Sequence, residues 1–499
     1  MLNQLILTAV SLLLVAVAGA AAAGRERPNV VLILLDDLGY ADLGCYNRES
    51  GISTPNIDRL AAEGVRFTRF YAASNVCSPS RRALLTGRYP SRLGEWAEAY
   101  PAPPGAADVS GTDEPVFAQY LKRSGYATGS FGKWNIGEAN GVSTPDAQGF
   151  DYWIGSFHNH SYFGHRRDQG VRDFWENGVL APQYDGRYSD DVFIDKAMDF
   201  IRRNHAAPFF IYLPLCTPHS PFQDPDDPEE GKASARWNRP DGIKGRPPQP
   251  SDRPLLAKMV RHVDARLGEL LRLLAELGIE RNTLVLLTSD NGGTPASLNT
   301  PLRGFKQGIL EGGIRVPAIV RWPGVYPAGK VSDQVGIAMD LTATIVAAAG
   351  SAGFIKAGRE FDGIDLTPII TGRQPAMERT LGWRRRNWSL GGDGFNTLWA
   401  EAYQQGRWKY AKEFKEAPGY ARSITGAYPT EGYVELLFDL EADPGERENV
   451  ASRNPELLAR MRAGLADWKR RVVNRESRFR IPFPDQYGQK GDPPPAVTR

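Results

Sequence analysis

Residues Asn29 to Leu35 read Asn-Val-Val-Leu-Ile-Leu-Leu, an unbroken run of mostly branched apolar side chains that ends in two aspartates, Asp36 and Asp37. A strand with one face in water alternates apolar and polar residues. A continuous run needs cover on both faces, as in a parallel sheet held between helices. The next segment supplies such a helix: Thr54-Pro55-Asn56 leads into Ile57, Leu60 and Ala61 at helical spacing, and Gly64 closes it. Further strands are expected at Phe209–Leu213, Thr283–Thr288 and Pro317–Val320. A long helix is expected from about Leu255 to Leu277, where Leu256, Met259, Val260, Val263, Leu267, Leu270, Leu271 and Leu274 form one stripe. This alternation predicts an α/β fold with a mostly parallel sheet between helices.

Past about Gly372 the pattern changes. Short aromatic segments at Gly406–Tyr410 and Val434–Asp439 predict a small antiparallel sheet, and Pro455–Arg470 a helix. The expected division is a catalytic domain over 24–375 and a smaller α+β subdomain over 376–499. Pro221–Pro254, dense in proline and charge, reads as a surface loop. With 499 residues the chain exceeds what one ordinary core organises. Lys and Arg number 60 against 58 Asp and Glu, a net charge of +2, so no basic field exists to collect nucleic acid and any anion site is local. Three cysteines allow at most one bridge, and the sequence leaves open whether Cys45 and Cys216 pair. Leu5 to Ala23 carries no charge and ends in small residues, so residues 1–23 read as a signal peptide and the protein as exported, periplasmic or extracellular. An uncleaved anchor is the alternative, since Met1 to Gln4 lacks the usual basic residue.

The segment Cys77-Ser78-Pro79-Ser80-Arg81, continuing to Leu85-Thr86-Gly87, resembles the signature of the type I sulfatase family in the alkaline phosphatase superfamily. In that family the cysteine is oxidised to formylglycine (3-oxoalanine), whose hydrated aldehyde is the nucleophile. The resemblance therefore implies a formylglycine-generating or sulfatase-maturating enzyme as partner. Without it, such a cysteine reads as a buried thiol beside a helix start. Attack on a sulfate ester brings an oxygen nucleophile against an anion, which calls for a cation and fixed donors. Asp36 and Asp37 end one apolar strand and Asp290-Asn291 another, where open α/β sheets bind ligands. Three carboxylates and an amide oxygen make an all-oxygen shell suited to Ca²⁺ or Mg²⁺ rather than zinc. Either pair alone would also serve as a helix cap. The resemblance implies calcium, with the oxygen at position 77 completing the shell.

The resemblance extends to single residues. Arg81 would steady the hydrate, and Lys133 in Phe131-Gly132-Lys133-Trp134 matches the family lysine that contacts formylglycine and sulfate. Lys306, within Arg303-Gly304-Phe305-Lys306-Gln307-Gly308 and ahead of Glu311-Gly312-Gly313-Ile314-Arg315, matches a second sulfate contact. His219 in Cys216-Thr217-Pro218-His219 matches the histidine on the leaving-group side, where a protonated imidazole would donate to the departing alcohol. Salt bridges or loop hydrogen bonds are the bland readings of these residues. Asn135 departs from the pattern, because the family places histidine after Lys-Trp; asparagine binds but takes no proton at neutral pH. Three nearby histidines, His158, His160 and His165, are candidates to substitute or to read the substrate, and an exposed loop is the alternative. Trp383-Arg384-Arg385-Arg386-Asn387-Trp388 reads either as a groove lining for an anionic sugar chain or as a solvated basic turn. The late string Leu437 to Asn449 resembles a C-terminal family segment and supports the fold rather than the chemistry.

From Arg27 to about Leu457 the motifs fall in the family's order. The resemblance implies an alkaline-phosphatase-like sheet between helices with a smaller C-terminal subdomain, and an arylsulfatase-like sulfuric ester hydrolase. The substrate is expected to be a sulfated carbohydrate or aryl sulfate. Two rivals stand beside this reading: a phosphomonoester or phosphonate hydrolase with similar metal-anion geometry, and a non-catalytic binder of sulfated glycans that keeps Cys77 unmodified.

Overall fold

The computed structural model describes residues 27–98, 115–137, 143–167, 170–227, 248–388, 396–414 and 432–473. The expected signal segment and most of the proline-rich stretch lie outside the described residues. Among the described residues, ten strands form the main sheet. Their order across it is Lys330–Ser332, Val65–Phe67, Ala318–Arg321, Thr283–Ser289, Asn29–Leu35, Phe209–Pro214, Ala127–Lys133, Tyr152–Ser156, Trp175–Glu176 and Val179–Leu180. Asn29–Leu35 lies at the centre, parallel to Thr283–Ser289 on one side and to Phe209–Pro214 on the other. Ala127–Lys133 continues the parallel set. Antiparallel pairs occur where Ala318–Arg321 meets its two neighbours and where Tyr152–Ser156 meets Trp175–Glu176.

The central strand is buried along its whole length because alternate side chains enter two different cores. Val31, Ile33 and Leu35 pack with helices Pro55–Ala62, Ser189–Asn204 and Arg253–Glu276. Val30, Leu32 and Leu34 pack on the other face, with Leu84 and Leu85 of helix Cys77–Thr86 and with Leu341 and Ile345 of helix Ala338–Ala348. Covering both faces is what the apolar run demanded.

A second sheet of four antiparallel strands, Thr380–Trp388, Asn396–Gln405, Trp408–Phe414 and Tyr433–Asp439, carries helix Pro455–Val472. A third core joins it to the main body: Tyr71, Ala83, Ile314 and Met339 pack with Trp383, Tyr410, Leu437 and Trp468. Cys45, Cys77 and Cys216 are all free, so Cys45 and Cys216 are not paired.

Candidate active site

Parallel strands end their chains at one edge, and here four neighbouring ends carry the chemistry. Leu35 is in register with Ser289, so Asp36-Asp37 and Asp290-Asn291 leave the sheet side by side, with the Asp290 N–H donating to the Leu35 carbonyl at 3.1 Å. On the other flank the Asp36 N–H donates to the Thr217 carbonyl at 3.0 Å, which seats the loop holding His219. Asp190 accepts the backbone N–H groups of Cys216 and Thr217 at 3.0 and 2.9 Å and fixes that loop from behind. Lys133 is the last residue of its strand.

Cys77 is the first residue of helix Cys77–Thr86, after an extended Val76, and the helix closes on a left-handed Gly87. A Cβ at Gly87 would lie 2.4 Å from the Phe361 ring, so glycine is required there twice over. Cys77 Sγ lies 3.4 Å from Asp36 Oδ1 and 3.2 Å from Lys306 Nζ. Arg81 is one turn on, the spacing that puts two side chains on one helix face. Its Nε donates to Asp290 Oδ2 at 2.9 Å, its Nη1 to the Lys133 carbonyl at 2.7 Å, and its Nη2 lies 3.2 Å from Asp36 Oδ2. Lys133 Nζ meets Asp36 Oδ2 at 2.6 Å, and Lys306 Nζ meets Asp37 Oδ1 at 2.6 Å. Asp36, Asp37, Cys77, Arg81, Lys133, His219, Asp290, Asn291 and Lys306 are thus gathered in one cluster.

Three carboxylates here face three side-chain cations. Burial would raise Asp36, but Lys133, His219 and Arg81 hold it below its ordinary range, whereas burial outweighs the cations and raises Asp37 and Asp290. Burial, then Asp290 and Asp36, pushes the Cys77 thiol well up, so it stays protonated and weakly nucleophilic at neutral pH. Burial and Lys306 push His219 down to about 3, and its Nδ1 lies 2.5 Å from the Ser220 carbonyl. With the Ser220 carbonyl accepting from Nδ1–H, Nε2 is left as the ring atom that faces the cluster. That atom lies 3.5 Å from Asp37 Oδ2 and accepts from Asn159 Nδ2 at 2.9 Å.

Ligand-type atoms of Asp36, Asp37, Cys77 and His219 all lie within 4.8 Å of one another. Asn291 Nδ2 donates to Asp37 Oδ1 at 2.8 Å, while its Oδ1 is buried without a partner among the described residues. An orphaned amide oxygen among carboxylates that burial drives toward the neutral form fits a hard divalent cation.

Asn135 lies two residues past Lys133, and its Oδ1 is buried with no partner among the described residues. It has φ of 57°, a left-handed conformation that asparagine tolerates, and its Nδ2 donates to the Phe157 carbonyl at 3.3 Å. The three histidines divide. His160 and His165 are buried among Phe174, Phe193 and Tyr162 and pushed down to about 4 and 3 by burial, as core residues. His158 pairs with Asp173 at 3.2 Å. What this loop places against the cluster is Asn159, which sequence reasoning passed over; only its position between the histidines marked it. The Trp383 string lies on strand Thr380–Trp388 rather than in a turn, and its first residues point into the protein. Trp383 is buried and donates to the Ala72 carbonyl at 2.8 Å, and Arg384 is buried between Glu98 and Glu401 at 3.0 and 3.1 Å.

Comparison with known proteins bears directly on this constellation. The sequence profile of the sulfatase family matches residues 28–351. N-acetylgalactosamine-6-sulfatase of Canis lupus familiaris is 34% identical over 483 residues, covering 90% of this chain and 86% of that protein. Arylsulfatase A of Homo sapiens is 32% identical over 492 residues, covering 90% of this chain and 88% of the relative. The crystal structure of Ps i-CgsB in complex with k-i-k-neocarrahexaose superposes with a TM-score of 0.70 at 29% identity, covering 89% of this chain and 93% of that one. The chain belongs to the sulfatase family within the alkaline phosphatase superfamily, and it is a sulfuric ester hydrolase.

Proposed function

We propose that this protein is an exported sulfatase acting on a sulfated carbohydrate, with Cys77 converted to formylglycine and one calcium ion held by Asp36, Asp37, Asp290 and Asn291. On this reading residues 1–23 are the signal peptide, 24–375 the catalytic domain and 376–499 the C-terminal subdomain. The observation that carries it is the place of Cys77: a buried side chain at a helix N-terminus, 3.2 Å from Lys306 Nζ and 3.4 Å from Asp36 Oδ1. The unpartnered Asn291 Oδ1 supports the ligand set. No helix among the described residues is long and apolar enough to cross a membrane. The names of the canine relative and of the ligand in the Ps i-CgsB complex both point to carbohydrates.

When present, the formylglycine hydrate supplies the attacking hydroxyl, and the cation polarises the sulfate oxygens. The chain's own residues do the rest. Three carboxylates and three side-chain cations balance, so a bound dication leaves the pocket net positive, which favours an anionic ester. Lys133 and Lys306 donate to the sulfate oxygens as fixed cations. Arg81 holds Asp36 and Asp290 in place through its fork. His219 presents Nε2 to the cluster while the Ser220 carbonyl holds Nδ1–H, the orientation needed to give a proton to a departing alcohol. Before the ester binds Nε2 carries no proton; the negative charge of the entering ester raises its affinity, so it takes up one proton from solvent as the ester binds and gives that proton to the departing alcohol. Asn135 fixes the Phe157 carbonyl and moves no proton.

The test is sulfate release from a panel of sulfated oligosaccharides by protein matured alongside a formylglycine-generating enzyme, with aryl sulfate and aryl phosphate measured in parallel. Release from at least one glycan, faster than from aryl phosphate, is expected. A preference for the phosphate ester would overturn the reading in favour of phosphomonoester chemistry, and glycan binding without sulfate release would favour a binder.

A further inference from the structure

The late string from Leu437 to Asn449 enters a buried ionic cluster that reaches the Lys306 segment. Lys409 Nζ, on strand Trp408–Phe414, lies 2.9 Å from Glu311 Oε1 and 2.9 Å from Glu446 Oε1, with all three side chains fully buried. The other Glu446 oxygen accepts the Glu311 backbone N–H at 2.5 Å. Glu311 Oε2 accepts the Tyr71 hydroxyl at 2.8 Å and lies 3.4 Å from Arg315 Nη1. Tyr71 is six residues upstream of Cys77.

Two of the string's polar residues build this presentation. Asp443 Oδ2 accepts the N–H groups of Arg447 and Glu448 at 2.6 and 2.9 Å, and Asn449 Oδ1 accepts those of Leu437 and Ala451 at 3.0 and 3.1 Å. Between these anchors Glu446 takes a left-handed φ of 52° and points inward. A buried carboxylate on a strained backbone, held between two anchors, is costly unless it is needed where it points.

From Glu311 the constraint runs to Lys306 through backbone with no slack. The Gly312 N–H donates to the Arg303 carbonyl at 2.8 Å, and a Cβ at Gly312 would lie 2.3 Å from the Gly304 carbonyl oxygen. A Cβ at Gly313 would lie 2.3 Å from the Gly308 carbonyl oxygen. The stretch from Arg303 to Gly313 is therefore a turn packed on itself. It is tied to the loop before Cys77 by Gln307 N–H to the Asn75 carbonyl at 2.9 Å, and to the Asp290-Asn291 loop by Lys306 N–H to the Gly293 carbonyl at 2.9 Å.

We propose that Lys409 and Glu446 of the C-terminal subdomain are positioning residues for Lys306: they pin Glu311, and the close-packed turn carries that placement to the ammonium that meets the sulfate. This rests on the reading of Lys306 as a sulfate contact. It gives the C-terminal subdomain a share in ester affinity without any contact to substrate.

The experiment is a double-mutant cycle of Glu446→Gln and Lys306→Ala in matured, calcium-loaded enzyme. It reads KM and kcat on an aryl sulfate, inorganic sulfate binding by calorimetry, and thermal unfolding. Glu446→Gln is expected to raise KM and the sulfate dissociation constant about tenfold with kcat changed less, the size of one lost hydrogen bond to a charged group. In the Lys306→Ala background the same change should cost under about twofold, because coupled residues are not additive. Independent, multiplying losses would overturn the coupling while leaving Lys306 as a sulfate contact. A neutral Lys306→Ala would sink that assignment and the proposal together. If Glu446→Gln fails to fold, Glu311→Gln, which keeps the backbone and Tyr71 partners, replaces it in the same cycle with the same criteria.

Discussion

Two of the buried ionic clusters among the described residues differ in how they are finished. The Glu311–Lys409–Glu446 cluster is closed: its carboxylates are shared among an ammonium, the Tyr71 hydroxyl, the Arg315 guanidinium and a backbone N–H. The cluster around Cys77 has as many side-chain cations as carboxylates and yet remains open: Asn291 Oδ1 has no partner among the described residues, and ligand-type atoms of Asp36, Asp37, Cys77 and His219 converge within 4.8 Å of one another. Buried charge that satisfies itself locks elements together. Buried charge left incomplete is prepared for a ligand, and the position at the carboxyl ends of parallel strands says the same.

The sharpest contrast comes from deleting one side chain. Cys77→Ala is expected to lower sulfate ester hydrolysis by at least about 10⁴-fold, the scale of losing a nucleophile. Its unfolding temperature should shift little. A variant with residual activity within tenfold of the wild type would remove Cys77 from the chemistry.

Next come the ligands of the open cluster. Chelation, or Asp37→Asn, should reduce turnover by about 10²–10³-fold, and calcium should restore the chelated enzyme but not the variant, because a fixed charge at the reacting centre has been withdrawn. Full activity after exhaustive chelation would mean that the open cluster needs no cation. The closed cluster should answer in stability instead. Lys409→Met strands two buried carboxylates and is expected to cost about 3–5 kcal/mol in denaturant unfolding. A change below about 1 kcal/mol would show the cluster to be far less enclosed than its geometry.

The smallest effect concerns pH. Burial, with Glu311 nearby, raises the Glu446 carboxyl from 4.5 to about 7, against the pull of Lys409. The folded state thus holds a proton there that the unfolded chain releases. That contribution is complete below the unfolded value and lost as pH rises through about 7. Relative to Glu446→Gln, the wild type should therefore lose stability between pH 5 and 8, seen as a narrowing gap in unfolding temperature. A gap constant across that range would assign the shift elsewhere.

Much of the open cluster was legible in the sequence because each of its parts is a local string. Asp36-Asp37 closes an apolar run, Asp290-Asn291 closes another, and Cys77 to Arg81 fit within one helical turn. The closed cluster was not, since Glu446 meets Glu311 across 135 positions and nothing near either residue names the other. The start of the Trp383 string misled for the same reason: Arg384 is paired with Glu98 and Glu401, and Arg386 with Glu98, from elsewhere in the chain. Strand Ala127–Lys133 was missed although it sits inside the main sheet, because Gly129 and Gly132 interrupt its apolar pattern. Gly132 has φ of 137°, and a Cβ there would lie 2.0 Å from the Pro214 carbonyl oxygen, so close strand approach overrode the rule that buried strands are apolar. Asn159 gave no signal beyond its place between two histidines, because asparagine in a polar loop is ordinary until its partner, His219, is seen.

The central claim is that the open cluster exists to serve position 77 as an oxygen nucleophile. A mass spectrum of the peptide containing Cys77, from protein produced with a formylglycine-generating enzyme and active on a sulfate ester, tests it most directly. A peptide lighter than the thiol form and reactive toward aldehyde probes, in proportion to activity across preparations, is expected. An intact thiol in fully active protein would contradict it.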